Sequence, residues 1–209
     1  PFVPPMNGLE KVKNKFSFMT LDDALSLEAA LTPKSRVLII GGGLIGLKCA
    51  EGVSGRCASI TVVDLAPTIL SSILDAEGAA IVQKHLEERG MKFYLGDSVE
   101  RFEENTATLK SGAVVGFDLL VLAVGVRANT ALVKDIGGDV DRGIIINEKA
   151  ETSVPDIYAA GDCAQVYDVS YGSRRVLALL PIAYMEGECA GVNMAGGERE
   201  FNNAMPLNS

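Results

Sequence analysis

Residues 36–52 read RVLIIGGGLIGLKCAEG. The unbroken apolar run VLII predicts a strand buried on both faces. It enters a turn in which Gly41, Gly43 and Gly46 have the spacing G-x-G-x-x-G, and a helical pattern follows. The first glycine permits the tight turn out of the strand. The second lets a pyrophosphate approach the backbone, and the third lets helix and strand pack closely. The helix start at Leu44 and Ile45 then aims unpaired N–H groups and a partial positive charge at that space. Spacing alone is a weak signal. Here a strand precedes it, a helix follows, and an acid closes the next strand, which is the context the motif needs. The alternatives at this point are a glycine turn that merely packs, and a related fold holding another adenosyl ligand.

The acid is Asp64, at the end of ASITVVD. A carboxylate there accepts hydrogen bonds from the adenosine ribose hydroxyls and repels a 2′-phosphate. Leu65, Ala66, Pro67 and Thr68 follow, with no Arg or Lys to receive that phosphate. The expected ligand is therefore NAD(H) rather than NADP(H). A purely local capping role for Asp64 is the competing reading.

The rest of the chain supports an α/β fold. TLDDALSLEAAL predicts a helix capped by Thr20, with Leu21, Leu25 and Leu31 on a buried face and Pro33 beyond its end. LDAEGAAIVQKHLEERG predicts a helix closed by Gly90. MKFYLG and LLVLAVG predict strands, and SVERFEENTATLKSGAVVGFD predicts short antiparallel strands turning at Glu104-Asn105 and Ser111-Gly112. Beyond Gly125 the rhythm changes. RGIIIN and TSVPDIYAAGD read as two strands, and LALLPIAYMEGECAGVNMAGG reads as a helix. Ala183, Gly187, Ala190, Gly191 and Met194 would give that helix a smooth packing face.

Composition narrows the partners. The 209 residues carry a net charge of -8 and no basic cluster longer than Arg174-Arg175, so nucleic acid and anionic membrane are not expected. No apolar run approaches the roughly 18 residues of a membrane span, and PFVPPMNG lacks a signal pattern. Cys49, Cys57, Cys163 and Cys189 include no C-x-x-C pair, and His85 is the single histidine. No metal site is expected, and the cysteines read as reduced thiols of a cytoplasmic protein. The carboxylate pairs Asp22-Asp23, Glu87-Glu88 and Glu103-Glu104 read as solvated faces.

Taken together, VLIIGGGLIGLKCAEG, ITVVD, LLVLAVGVRANT, GIIINEKAETSVPDIYAAGDCA and LPIAYMEGECAGVNMAGG resemble the flavoprotein pyridine nucleotide–disulfide oxidoreductase superfamily. The branch resembled is that of NADH oxidases, rubredoxin reductases and nitrite reductase large subunits. The resemblance implies a Rossmann-like NAD-binding domain, a parallel sheet with inserted antiparallel strands, plus a partial FAD-binding domain. It sets residues 1–33 as a linker and helix of the partial FAD domain, 34–128 as the NAD domain, and 129–209 as the C-terminal part of the FAD domain. It also implies a fragment: the family's first FAD stretch, with its own glycine loop, would precede Pro1, and an interface domain would follow.

By the same resemblance, Gly41, Gly43, Leu44, Ile45, Gly46 and Asp64 contact NAD, and Gly125 lies where the chain crosses close to it. Gly161 and Asp162 approach the FAD ribityl–phosphate region, and the helix start from Leu180 to Ala183 faces the flavin. Lys48 stands where many relatives have Glu, and none of the four cysteines occupies a redox-active position. The implied function is hydride transfer from NADH to FAD and on to an unknown acceptor. The chain itself is expected to bind NAD(H), hold FAD poorly, turn over little and form a homodimer. A non-catalytic NAD(H)-sensing module is the alternative.

Overall fold

The computed structural model describes residues 3–206. The chain forms two compact units that divide between Val126 and Arg127. In the first, β1 (Lys15–Phe16), α1 (Leu21–Ala30), β2 (Arg36–Ile40), α2 (Leu44–Val53), β3 (Ser59–Asp64), α3 (Ala76–Glu88) and β4 (Met91–Leu95) alternate. A meander of β5 (Val99–Glu103), β6 (Thr106–Leu109) and β7 (Val114–Gly116) follows, and β8 (Leu119–Leu122) returns to the sheet. The sheet order is β1-β8-β2-β3-β4, and every pair in it is parallel.

The apolar runs of β2 and β8 follow from two different covers. Val37, Ile39, Leu119 and Val121 pack under the helices, against Leu27, Leu47, Cys49 and Ala50. Leu38, Ile40, Leu120 and Leu122 point the other way, onto Phe102, Leu109, Val115 and Phe117 of the meander side. Successive strand residues face opposite sides, so a strand covered on both must be apolar at every position. Phe102 and Phe117 meet edge to face at 6.2 Å. At the sheet's base the Arg36 guanidinium forks onto Asp118 and holds that carboxyl down at about 2, joining the start of β2 to the start of β8.

Residues 15–31 are built into this unit: β1 hydrogen-bonds alongside β8, and Leu27 of α1 joins the core under the helices. One expectation is corrected here. The buried residue of α1 is Leu27, while Leu21 and Leu25 are exposed and Leu31 is half-buried. Thr20 does cap the helix, in a reciprocal pair with Asp23. That pair fixes the helix start, and the phase it sets turns Leu21 and Leu25 outward.

The second unit contains α4 (Ala131–Lys134), β9 (Ile144–Ile145), β10 (Ala164–Asp168), β11 (Ser173–Arg175) and α5 (Leu180–Met194). Its sheet order is β11-β10-β9. The strands beyond β9 are therefore AQVYD and SRR. TSVPDIYAAGD is irregular; its Tyr158 makes an isolated antiparallel bridge with Glu151, outside the named strands. The buried face of α5 is Ile182, Glu186, Cys189, Ala190 and Asn193; Gly187, Gly191 and Met194 face outward. Asn193 explains its own burial. Its Nδ2 donates to the carbonyls of Lys149 and Arg199 at 2.8 Å each, and its Oδ1 accepts from the Arg199 amide at 2.9 Å. It ties the segment after α5 to the loop before β10.

Phe102 is fully buried between sheet and meander. Its replacement by alanine removes the aromatic pair and opens a cavity. We expect Phe102→Ala to lower stability by about 3–5 kcal/mol, read as a shift in the urea midpoint. A loss under about 1 kcal/mol would show that the meander does not seal this face.

Candidate functional site

The site of the first unit lies at the carboxyl ends of its parallel strands, where ligands bind in open α/β sheets. Gly41 leaves β2 with φ +114°, and a Cβ there would lie 2.2 Å from the Ala123 carbonyl oxygen. No side chain fits. Gly46 is more constrained still: a Cβ would lie 1.9 Å from the Gly41 carbonyl oxygen. The first turn of α2 thus rests directly on the turn that precedes it. Gly43 is different. It is the N-cap of α2 without a capping side chain, and a Cβ there would meet nothing within 4 Å. The helix start at Leu44 and Ile45 therefore presents backbone N–H groups that no side-chain cap occupies.

Asp64 ends β3 beside this turn. Its Oδ2 accepts from the Gly42 amide at 2.5 Å and its Oδ1 from the Ala66 amide at 2.7 Å. Two backbone donors fix the carboxylate while its remaining lone pairs stay available. A cleft of about 550 Å³ runs along these strand ends, lined by Gly41, Gly43, Asp64, Leu65, Val124 and Gly125 among others. Gly125 has φ +98° and opens onto it.

The sequence reading missed the far wall, made by Asp97, Ser98 and Val99 just after β4. The signal was present: Asp97 follows its strand as Asp64 ends the preceding one. Asp97 accepts from the Ser98 amide at 2.7 Å, and the Ser111 side chain, above all, holds its carboxyl below its usual range. The Asp97 amide donates to the Asp64 carbonyl at 3.1 Å, locking the two strand ends together. Among the described residues, the cleft lining holds two carboxylates and no lysine or arginine. Lys48 points elsewhere, onto Glu51 at 2.7 Å at the surface.

In the second unit, Gly161 opens a short 3₁₀ turn, Gly161–Cys163, with φ +78°. Asp162 is exposed on that turn. A Cβ on Gly161 would lie 3.6 Å from the Ala183 Cβ, so α5 packs on the turn near its own start. Leu180, the first residue of α5, is largely exposed, and the helix has no side-chain cap. Glu186 also belongs here. It is buried, its Oε2 accepts from the Gly161 amide at 2.5 Å, and its Oε1 has no partner. Burial, reinforced by the charge of Asp162, pushes its carboxyl up to about 7. A charged residue in an apolar helix reads as surface, and that hid Glu186 from the sequence.

The remaining reactive side chains are quiet. Burial pushes the Cys49 thiol up to about 12 and raises Cys57 and Cys189, which disfavours thiolate chemistry. His85 is exposed in the last turn of α3. No helix among the described residues is long and apolar enough to cross a membrane, and no cluster of metal-ligating side chains occurs among them.

The chain is similar to several known proteins. A sequence profile described as pyridine nucleotide-disulphide oxidoreductase matches residues 1–187. The chain is 35% identical over 207 residues to NADH oxidase of Methanocaldococcus jannaschii, covering 96% of this chain and 46% of that protein. It is 34% identical over 193 residues to NADH-rubredoxin oxidoreductase of Clostridium acetobutylicum, covering 91% and 46%. It spans about half the length of these curated relatives. The solved structure of water-forming NADH oxidase from Lactobacillus brevis, bound to NADH, superposes with TM-score 0.87 at 26% identity, over 97% of this chain and 45% of that one.

Glu186 gives a pH signature. Its folded carboxyl titrates above its ordinary 4.5, so the native state keeps a proton that the unfolded chain has released. The stability it contributes is full below 4.5 and is lost as pH rises through about 7. We expect the melting temperature of the natural protein to fall over that window relative to Glu186→Gln, as followed by circular dichroism. Parallel pH profiles would refute the burial argument.

Proposed function

We propose that this chain, which belongs to the pyridine nucleotide–disulphide oxidoreductase family, supplies the NADH-binding part of a flavin-dependent oxidoreductase. The observation that carries this reading is the donor set at the end of β2. A glycine turn that excludes side chains, an uncapped helix start and a carboxylate oriented by two amides suit the diphosphate and ribose of a dinucleotide. In this reading Gly41, Gly43, Leu44, Ile45 and Gly46 hold the diphosphate. Asp64 accepts from the ribose hydroxyls, and Gly125 lets the chain pass close to the nicotinamide half. The cleft of about 550 Å³ is of the size small-molecule sites have.

The second unit fits a share of an FAD site. In this reading Asp162, on its exposed turn, would accept from ribityl hydroxyls, and the uncapped start of α5, from Leu180 to Ala183, would favour negative charge on the flavin ring. Gly161 lets the turn lie against α5. Bound flavin would supply the chemistry of accepting a hydride from NADH and passing electrons onward; the residues here bind and orient. We propose domain roles accordingly, with NAD held by the first unit and the second contributing to an FAD domain. The chain alone is proposed to bind NADH, retain FAD weakly and turn over slowly.

Calorimetry with NADH, NADPH and FAD tests this. We expect NADH to bind more tightly than NADPH, because no cation in the lining receives a 2′-phosphate. Asp64→Asn removes charge-assisted hydrogen bonds worth about 1.5–3 kcal/mol, which should weaken NADH roughly tenfold to a hundredfold. A circular-dichroism melt controls for folding, since Asp64 also holds two backbone amides. No heat from NADH would refute the reading; tighter NADPH would refute the choice of nucleotide.

We also propose that the chain self-associates. Leu180, Tyr184 and Met194 are exposed on α5, at 72%, 72% and 67%, and such an apolar surface favours pairing. Sedimentation should show a dimer, and a monomer at high concentration would refute it.

A further inference from the structure

Glu186 lies in the middle of α5 with 1% of its surface exposed. Its neighbours on the buried face, Ile182, Cys189 and Ala190, are apolar. One carboxyl oxygen holds the Gly161 amide at 2.5 Å; the other is buried without a partner. A buried acid so poorly satisfied is costly, most of all when charged. Helix packing does not account for it, since a leucine or methionine would fill the position. The groups set against it are few. Asp162, from the turn, opposes its ionisation, and the Gly161 amide favours it. Cys189 is the other titratable group nearby, with Arg199 and Glu200 acting on that thiol in opposite senses from the segment after α5.

We propose that Glu186 is a positioning residue that couples binding at the Gly161–Asp162 turn to protonation of its own carboxyl. The ligand class is an anionic dinucleotide bearing a diphosphate, and the inference rests on reading that turn as part of an FAD site. Either form of the carboxyl offers an oxygen to the Gly161 amide, so the turn is held in both. What changes is charge. Ionised Glu186 places a negative charge directly behind the turn, where it repels any anion that docks; the neutral acid does not. An anion at the turn therefore raises the proton affinity of Glu186, and by reciprocity the protonated protein binds the anion better. One solvent proton joins a Glu186 oxygen as ligand binds and is returned as it leaves. No electrons move in this step.

The sign follows from the free protein, in which Glu186 is half ionised at about 7. On the acid side it is already neutral and binding takes up nothing. On the alkaline side binding must draw a proton, and affinity falls. FAD binding to the full chain is measured by calorimetry at about pH 6 and about pH 8, in buffers of different ionisation enthalpy, which reports proton uptake. The natural protein should bind about fivefold more weakly at the higher pH, with uptake of a fraction of a proton there. Glu186→Gln keeps the acceptor for Gly161 and cannot ionise, so its affinity should be the same at both. His85→Asn, which removes the single imidazole, should follow the natural protein. Carbon-detected NMR of Glu186 in the natural protein should show its titration midpoint rise when FAD is added.

A pH-independent affinity in the natural protein, an equal pH dependence in Glu186→Gln, or a midpoint unmoved by FAD would overturn the coupling and leave FAD binding standing. No FAD binding at either pH in any of the three proteins would overturn the flavin reading, and this inference with it.

Discussion

The close approach of Gly46 to the Gly41 carbonyl governs the architecture of the first unit. Helix α2 starts where it does because two backbones lie within what would otherwise be side-chain distance. That contact sets the helix axis against the end of β2 and leaves the first-turn amides of α2 facing open space rather than a capping side chain. Asp64 then engages the Gly42 amide, so the strand, the turn and the neighbouring strand end are one hydrogen-bonded piece. The polar site is thus made chiefly of main chain, which a fold can hold more rigidly than long side chains. Its cost is sequence restriction: a Cβ at Gly46 would force the helix off the Gly41 turn, and one at Gly41 would collide with the Ala123 carbonyl.

Legibility of the fold tracked the physics of burial. Strands β2 and β8 were readable because cover on both faces writes an unbroken apolar run, although the sequence did not say that a meander supplies one of those covers. α3 was readable through the left-handed Gly90 after its end, and the structure adds a cap at Asp75. β10 and β11 were not. They carry Gln165, Asp168, Ser173, Arg174 and Arg175: Asp168 Oδ1 accepts from the Ser170 and Tyr171 amides, its Oδ2 is buried 3.6 Å from Arg175, and Arg174 reaches the Ile146 carbonyl and Glu148. A strand stabilised by its own turn and ion pairs leaves no hydrophobic period to detect. For the same reason α5 was assigned the wrong face. Its small residues suggested packing, whereas the buried stripe contains Glu186 and Asn193, each retained for a backbone partner.

Legibility of the candidate site divided along a similar line. Residues that act through backbone geometry announce themselves by glycine spacing, and Asp64 by its place at a strand end. Asp97 has the same placement one strand further on, but a lone acid in a loop before a hairpin carries no motif. Glu186 could be found only by coordinates, because its significance is the mismatch between its charge and its surroundings.

The two carboxylates at the first site and the one behind the second turn put acidity to opposite uses. Asp64 and Asp97 stand at the strand ends with amide donors on them, and hydrogen bonds led by the Ser111 side chain hold the Asp97 carboxyl below its usual range. Glu186 has one amide, no second donor and an apolar surround, so its environment favours the neutral form instead. Selection by a fixed charge needs no titration, whereas response to pH requires a group left short of partners. The fold sets amide-bound carboxylates at open strand ends and an under-partnered one on the buried face of a helix.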